Sequence, residues 1–230
     1  MGEATTATTR RTYGQACPVA YSLDLIGERW TLLIVRDLMF GPLRFTEIRD
    51  GLPGLSGNLL TERLRMLCER GIVEKLLRPT PGSRSMYALT PRGRELGPVI
   101  HSLARFGVPE WEDPASNPPP QRLLRGALLA LMTPEALDDS AWTAELVLGN
   151  ATIGLTVAGT APTIAPLDRL RLLAGALPEP PDVVVVADLA TLQAVRCGTL
   201  TQAEAERSGA VELSGEPGAV DQLRALLGLD

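Results

Sequence analysis

Between Trp111 and Pro120 the chain places four prolines in ten residues, with no apolar periodicity. Proline fixes φ, removes a backbone donor and restricts its predecessor, so such a segment suits neither a helix interior nor a central strand. It reads as a stiff extended linker over 113–120. The chain is therefore expected to fold as two units, 17–112 and 121–230, behind a disordered Thr-rich leader at 1–16. Composition shifts across the linker: eight of the nine aromatic residues lie at or before Trp111, and only Trp142 follows. The 230 residues leave each unit enough chain for its own core, since domains commonly need about 100–150 residues.

Charge divides at the same place. The whole chain carries 22 basic and 27 acidic residues, a net of −5. Residues 1–115 hold 15 basic against 13 acidic, and 116–230 hold 7 against 14. Net charges of +2 and −7 suggest two units with different partners. The modest +2 implies that any nucleic-acid affinity depends on a few placed arginines and on dimerisation.

Several classes are disfavoured. No apolar run approaches the roughly 18 residues of a membrane span, and the N-terminus lacks a secretory hydrophobic segment, so no membrane partner and a cytoplasmic location are expected. Cys17, Cys68 and Cys197 are odd in number and scattered, which argues against a disulfide framework. His101 is the sole histidine, expected on a helix surface or a dimer interface. No nucleophile motif, zinc spacing, phosphate loop or dinucleotide fingerprint is present. No catalytic residue, metal or cofactor is expected.

The first unit reads as short helices followed by a hairpin. Helices are expected over 17–25, 28–40 and 45–50, then from Ser56 to about Arg70, with Ser56 as cap and Gly71 past the end. Strands at 72–78 and 86–89 flank a polar tip, and Thr90-Pro91 opens a last helix to about Phe106. In the helix beginning at Ser56, Leu60, Leu64 and Leu67 form one apolar stripe. Asn58, Glu62, Arg65 and Glu69 lie opposite, with Thr61 on the flank, and Ser56, Asn58, Thr61, Glu62 and Arg65 are the candidate DNA contacts of this helix. A short helix, a Gly/Pro turn and a polar-faced second helix make a helix-turn-helix. Its Asn and Arg can pair with adenine and guanine edges in a major groove. Arg44 and Thr46, at the start of the preceding helix, are placed to meet a phosphate. Arg78 and Arg84, around the hairpin tip, can reach a minor groove or backbone as a wing. On an isolated helix such residues are better read as its solvated side; their ordered set favours DNA.

Residues 17–107 resemble the DNA-binding domain of the HxlR family, winged helix-turn-helix regulators related to MarR repressors. The resemblance rests on Cys17-Pro18, Asp24-Leu-Ile-Gly-Glu-Arg-Trp30, Gly41-Pro-Leu-Arg-Phe45, Leu52-Pro-Gly-Leu-Ser56, Leu60-Thr-Glu-Arg-Leu-Arg65, Gly71-Ile-Val-Glu74 and Tyr87-Ala-Leu-Thr-Pro-Arg-Gly93. Arg29 stands where many members have lysine. The resemblance implies a homodimer, joined through its terminal helices, on near-palindromic double-stranded DNA. Cys17 occupies the position of a redox- or electrophile-sensing thiol in several members, and a helix start favours the thiolate. The alternative for Cys17 is a packed structural thiol near the dimer interface. Cys68 and Trp30 read as core packing.

In the second unit, a helix is expected over 122–132, antiparallel strands over 142–148 and 152–157 about the Gly149-Asn150 turn, and a buried strand over 182–186. Helices over 189–196, 201–209 (with the capping box Thr201/Glu204) and 217–227, and a strand over 211–213, complete an α+β layer. Residues 120–228, most clearly from 182 onward, resemble a sterol-carrier-protein-like domain, which implies an internal apolar cavity for a hydrophobic small molecule. Leu128, Met132, Trp142, Leu146, Leu155, Leu192 and Val195 are the expected lining; the alternative is that they pack the core. Together these readings describe an α+β protein, a winged helix-turn-helix domain followed by a small sterol-carrier-like domain. It is expected to be a repressor responding to a hydrophobic effector, or, alternatively, to thiol chemistry at Cys17 with the second domain an assembly module.

Overall fold

A computed structural model describes residues 12–76, 85–111, 121–160 and 166–229. The expected linker and the hairpin tip with Arg78 and Arg84 lie outside these residues. The chain has a two-domain α+β architecture. In the first domain come α1 (Pro18–Ile26), α2 (Thr31–Leu38), the two-residue strand β1 (Leu43–Arg44), α3 (Phe45–Gly51) and α4 (Gly57–Glu69). The hairpin β2 (Val73–Leu76) and β3 (Met86–Leu89) follows, then α5 (Pro91–Arg94) and α6 (Gly97–Gly107). The antiparallel sheet runs β1-β3-β2.

Two helices differ from expectation, each for a backbone reason. The helix expected from Glu28 starts at Thr31, because Trp30 takes a left-handed φ of 76° that no helix interior tolerates. The helix expected from Thr90 to Phe106 is two. Pro98 would lose a bond to the carbonyl four residues back and clash with it, so the chain breaks and Pro98 sits in the first turn of α6.

The second domain opens with α7 (Gln121–Leu131). The strands β4 (Trp142–Leu148) and β5 (Ala151–Val157) form the expected antiparallel pair, with Gly149 at φ 62° in the turn. Next come β6 (Leu170–Ala174), β7 (Val183–Ala187), α8 (Leu189–Arg196), α9 (Gln202–Arg207), β8 (Val211–Gly215) and α10 (Pro217–Leu227). The sheet order is β6-β5-β4-β7-β8, with β7 parallel to β4 and the other neighbours antiparallel. Strand β6 was not expected from the sequence. It is an edge strand with only Leu172 buried, so it lacks the alternation that marks a half-buried strand. On β4, Trp142, Ala144, Leu146 and Leu148 face the core; α10 packs on this strand and α7 on the neighbouring β5 and β6.

The cores of the two domains meet. Leu129 of α7 is buried in the first domain's cluster with Ile34, Leu38 and Ile100, while Phe40, Ala104 and Trp111 pack against the second domain's cluster. Gly126 lets α7 approach α2, since a Cβ there would lie 3.1 Å from Arg36 Cδ. Polar groups cross the junction too: Gln193 Nε2 donates to the carbonyls of Val108 (3.0 Å) and Trp111 (2.7 Å). His101 corrects the expectation of a surface or dimer residue. It is only 5% exposed and its Nε2 lies 2.9 Å from the Met132 carbonyl, because the α6 face carrying Ile100 and His101 turns toward α7.

The expected cavity residues Leu128, Met132, Trp142, Leu146, Leu155 and Leu192 lie in one continuous buried cluster, with Val195 partly buried against it. Of these, Trp142 keeps its indole N–H without a hydrogen-bond partner among the described residues.

Candidate nucleic-acid interface

The turn between α3 and α4 is closed by the Leu55 N–H donating to the Leu52 carbonyl at 3.0 Å. Gly54 takes φ 89° in it, a conformation that favours glycine. Ser56 then starts α4, its hydroxyl accepting from the Leu59 N–H at 3.3 Å. Leu60, Leu64 and Leu67 recur at i, i+4 and i+7 and are fully or almost fully buried. The opposite side projects Asn58, Thr61, Glu62 and Arg65, all exposed.

Not all of those groups are equally available. The Thr61 hydroxyl donates to the Gly57 carbonyl at 2.9 Å. The Arg65 guanidinium forms an ion pair with Glu69 one turn on. Glu62 meets Arg63 at 3.4 Å. Asn58 is the exposed side chain best placed to act as both donor and acceptor in this row, because an amide carries both functions.

Two arginines that sequence reasoning did not single out fix the orientation of α4. Arg63, 8% exposed, donates to Glu28 Oε2 (3.0 Å) and to the Arg29 carbonyl (3.3 Å). Arg70 reaches the Leu25 carbonyl. Arg63 thereby clamps α4 to the segment joining α1 and α2, and Arg70 clamps it to the last turn of α1, so the polar row stays turned outward. Their partners lie 34 to 45 residues away in sequence, so no local pattern marks them.

Arg44 is exposed and Thr46 half-buried at the start of α3. The Glu47 carboxylate already accepts the Arg44 backbone N–H at 2.6 Å. A phosphate approaching this helix end thus meets the Arg44 side chain with a carboxylate beside it. The wing strands pair in register Val73↔Leu89 through Leu76↔Met86, and Lys75, the single lysine, is exposed on β2. Gly93 seats the chain after the wing so closely that a Cβ would lie 2.1 Å from the Ile72 carbonyl oxygen.

The three cysteines are free and differ in setting. Cys17 is half-buried at the N-cap of α1, with Pro18 next. Cys197 is exposed. Burial pushes the Cys68 thiol up from its ordinary pKa, a shift that nearby Lys75 opposes and Glu69 reinforces.

Among the described residues no group of three His, Cys, Asp or Glu side chains could hold a metal ion, and no helix is long and apolar enough to cross a membrane.

Residues 25–115 match the model of the family described as HxlR-like helix-turn-helix. The HTH-type transcriptional regulator sll1512 of Synechocystis sp. is 38% identical over 98 residues, covering 43% of this chain and 72% of that protein. YvaP of Bacillus subtilis, also an HTH-type transcriptional regulator, is 37% identical over 102 residues, covering 44% and 94%. A third regulator, YodB of Bacillus subtilis, is 36% identical over 103 residues, covering 44% and 88%. Structures of YodB exist in the reduced form (34% identity, 44% of this chain and 99% of that one, TM-score 0.37) and after diamide treatment (36% identity, 42% and 97%, TM-score 0.36). The family match ends before α7.

Proposed function

The chain belongs to the HxlR-like helix-turn-helix family, and on that premise we propose that it binds a near-palindromic operator as a homodimer and represses transcription in the cytoplasm. It is a DNA-binding transcriptional regulator, as its relatives are, and its role is not enzymatic. The observation that carries the operator reading is the outward row Asn58, Thr61, Glu62 and Arg65 on a helix clamped from behind by Arg63 and Arg70. Asn and Arg suit adenine and guanine edges, and two such helices in a dimer enter successive major grooves about 34 Å apart. Exposed Val19, Tyr21 and Leu23 on α1, with Val99, Leu103 and Phe106 on α6, supply apolar area for the dimer contact. Fluorescence anisotropy with the adjacent promoter DNA is expected to give tight, salt-dependent binding. Equal affinity for a random duplex rejects the reading.

For the input signal, thiol chemistry at Cys17 is the better supported reading. It rests on the half-buried N-cap position of Cys17 and on the kinship with YodB, itself solved in reduced and diamide-treated forms. Release of promoter DNA on diamide treatment is expected for the native chain and lost in Cys17→Ser; a variant that still responds excludes Cys17 as the sensor.

The second reading gives the input to a hydrophobic small molecule held by a sterol-carrier-protein-like second domain. Its support is the α+β layer itself, one sheet face covered by α7 and α10. A ligand held there has to part Leu128 and Met132 from Trp142 and Leu146, which now pack together. Native mass spectrometry of the purified protein is the test: a retained hydrophobic molecule supports this reading, and its absence favours a packed assembly module.

A further inference from the structure

Where the domains meet there is a cavity of about 330 Å³ with walls from both. The first domain contributes Phe40, two residues past α2, and Leu89, at the end of β3; the second contributes Leu129 of α7 and Leu170 of β6. These side chains are apolar, but the rim is not. Arg94, Asp168 and Arg171 stand around it, all exposed, and among the described residues none of their three side chains has a hydrogen-bond or ion-pair partner. Two guanidinium groups against one carboxylate leave one unmatched positive charge at the edge of an apolar space.

The site is built on fixed elements. Arg169, 4% exposed, donates to the carbonyls of Ala158 (2.7 Å) and Ser140 (3.0 Å), which holds the segment carrying Asp168 and Leu170 against the sheet. On the other side, Arg94 follows Gly93, whose close approach to the Ile72 carbonyl ties α5 to the base of the wing. An occupant of this cavity would touch both the wing base and the second domain.

We propose that this junction is a binding site for an amphipathic monocarboxylate, its apolar body between Phe40, Leu89, Leu129 and Leu170 and its carboxylate on Arg94 and Arg171, and that occupancy changes operator affinity. The regulatory half rests on the operator reading above; the binding half does not. The planar carboxylate suits a guanidinium fork, and charge-assisted hydrogen bonds of this kind are the strong ones. The volume lies at the small end of ligand pockets, which favours a medium-chain or single-ring acid over a sterol. Coupling follows because the cavity walls belong to two bodies: a ligand that prefers one arrangement of them shifts the population toward it.

Isothermal titration of the full chain with sodium decanoate is expected to show saturable binding, and 1-decanol, with the same apolar body and no charge, to bind about tenfold or more weakly. The double variant Arg94→Gln/Arg171→Gln is expected to lose about tenfold or more for decanoate and to leave decanol unchanged. Both positions are exposed, and an unchanged melting curve of the ligand-free variant verifies its fold. Absence of saturable decanoate binding, or binding that the double variant retains in full, overturns the site. Anisotropy with promoter DNA reads the regulatory half separately, with an expected change of about fivefold or more in apparent affinity at saturating decanoate. Unchanged DNA affinity with decanoate bound overturns the regulatory half and leaves the site standing. A chain that takes decanoate but no promoter DNA keeps the site and loses the operator reading.

Discussion

His101 Nε2 and the Met132 carbonyl oxygen lie 2.9 Å apart, a buried hydrogen bond between the last helix of the first domain and the residue just past α7. A buried carbonyl left without a donor carries its full desolvation cost. His101→Ala is therefore expected to destabilise the chain by about 2 kcal/mol, from the lost bond and the small cavity together. Urea unfolding of the variant checks this, and a change under about 0.3 kcal/mol shows that the bond contributes nothing net.

A second prediction concerns the wing base. In Gly93→Ala the new Cβ falls 2.1 Å from the Ile72 carbonyl oxygen, a backbone atom with little freedom to move. Displacing α5 from β2 is expected to cost about 2 kcal/mol or more. Promoter affinity, measured at a temperature where the variant stays folded, is expected to fall as well. Native-like stability in this variant contradicts such close packing.

Arg65 is held by Glu69, so it reaches a base only by leaving that ion pair. Glu69→Gln removes both the competitor and a negative charge from the groove face, and is expected to tighten promoter binding several-fold. Arg65→Ala and Asn58→Ala are expected to weaken it by about 1–3 kcal/mol and relax sequence preference at one position each. Anisotropy against a panel of single-base promoter variants tests all three. If Glu69→Gln weakens binding, Arg65 is not the reader.

Thiol accessibility gives another check. Cys68 is half-buried with its thiol pKa pushed upward, so its thiolate is scarce near neutral pH. Alkylation by iodoacetamide, followed by mass spectrometry, is expected to label exposed Cys197 and then Cys17 before Cys68. Faster labelling of Cys68 would move attention to that residue as the reactive thiol.

Two carboxylates of the second domain make its stability depend on acid. Hydrogen bonds from Ser140 hold Asp138 below its usual value of 3.8, and those from Thr201 hold Glu204 below 4.5. A depressed folded-state pKa stabilises the fold above the unfolded pKa, and that contribution disappears as pH falls through the folded value. Stability from Asp138 and Glu204 is thus fully present near neutrality and fades below about pH 3.8 and 4.5 respectively. Both groups lie on the surface, so the effect is small. Thr201→Ala is expected to flatten the melting-temperature slope in the acid range and leave the neutral range changed only by the lost cap. An unaltered acid slope refutes the assignment for Glu204.

What the sequence makes legible follows the range of the interactions involved. Helix α4 announces itself through Ser56, the Leu60/Leu64/Leu67 spacing and Gly71, all within one stretch. The β4–β5 hairpin does so through alternation and Gly149-Asn150, and α9 through Thr201 and Glu204. Each signal is a local pattern that local physics reads. Arg63 is different, because its partners Glu28 and Arg29 are supplied by the tertiary fold. The α5–α6 break has a local signal in Pro98, which sits in the first turn of the second helix. Strand β6 had too little buried area to show alternation. The burial of His101 has no local signal, because the surface that covers it belongs to α7 and the residue after it, remote in sequence.

Leu129 sits in the first domain's core although it belongs to the second. Cutting the chain at the proline-rich segment would strip this side chain from Ile34 and Ile100 and bare an apolar face to water, so the amputated half invites aggregation. Heat should melt the whole chain in one cooperative step. For anyone assembling chimeric regulators, the boundary that looks most dispensable in the sequence is thus the wrong place to cut, and the transplantable unit includes α7.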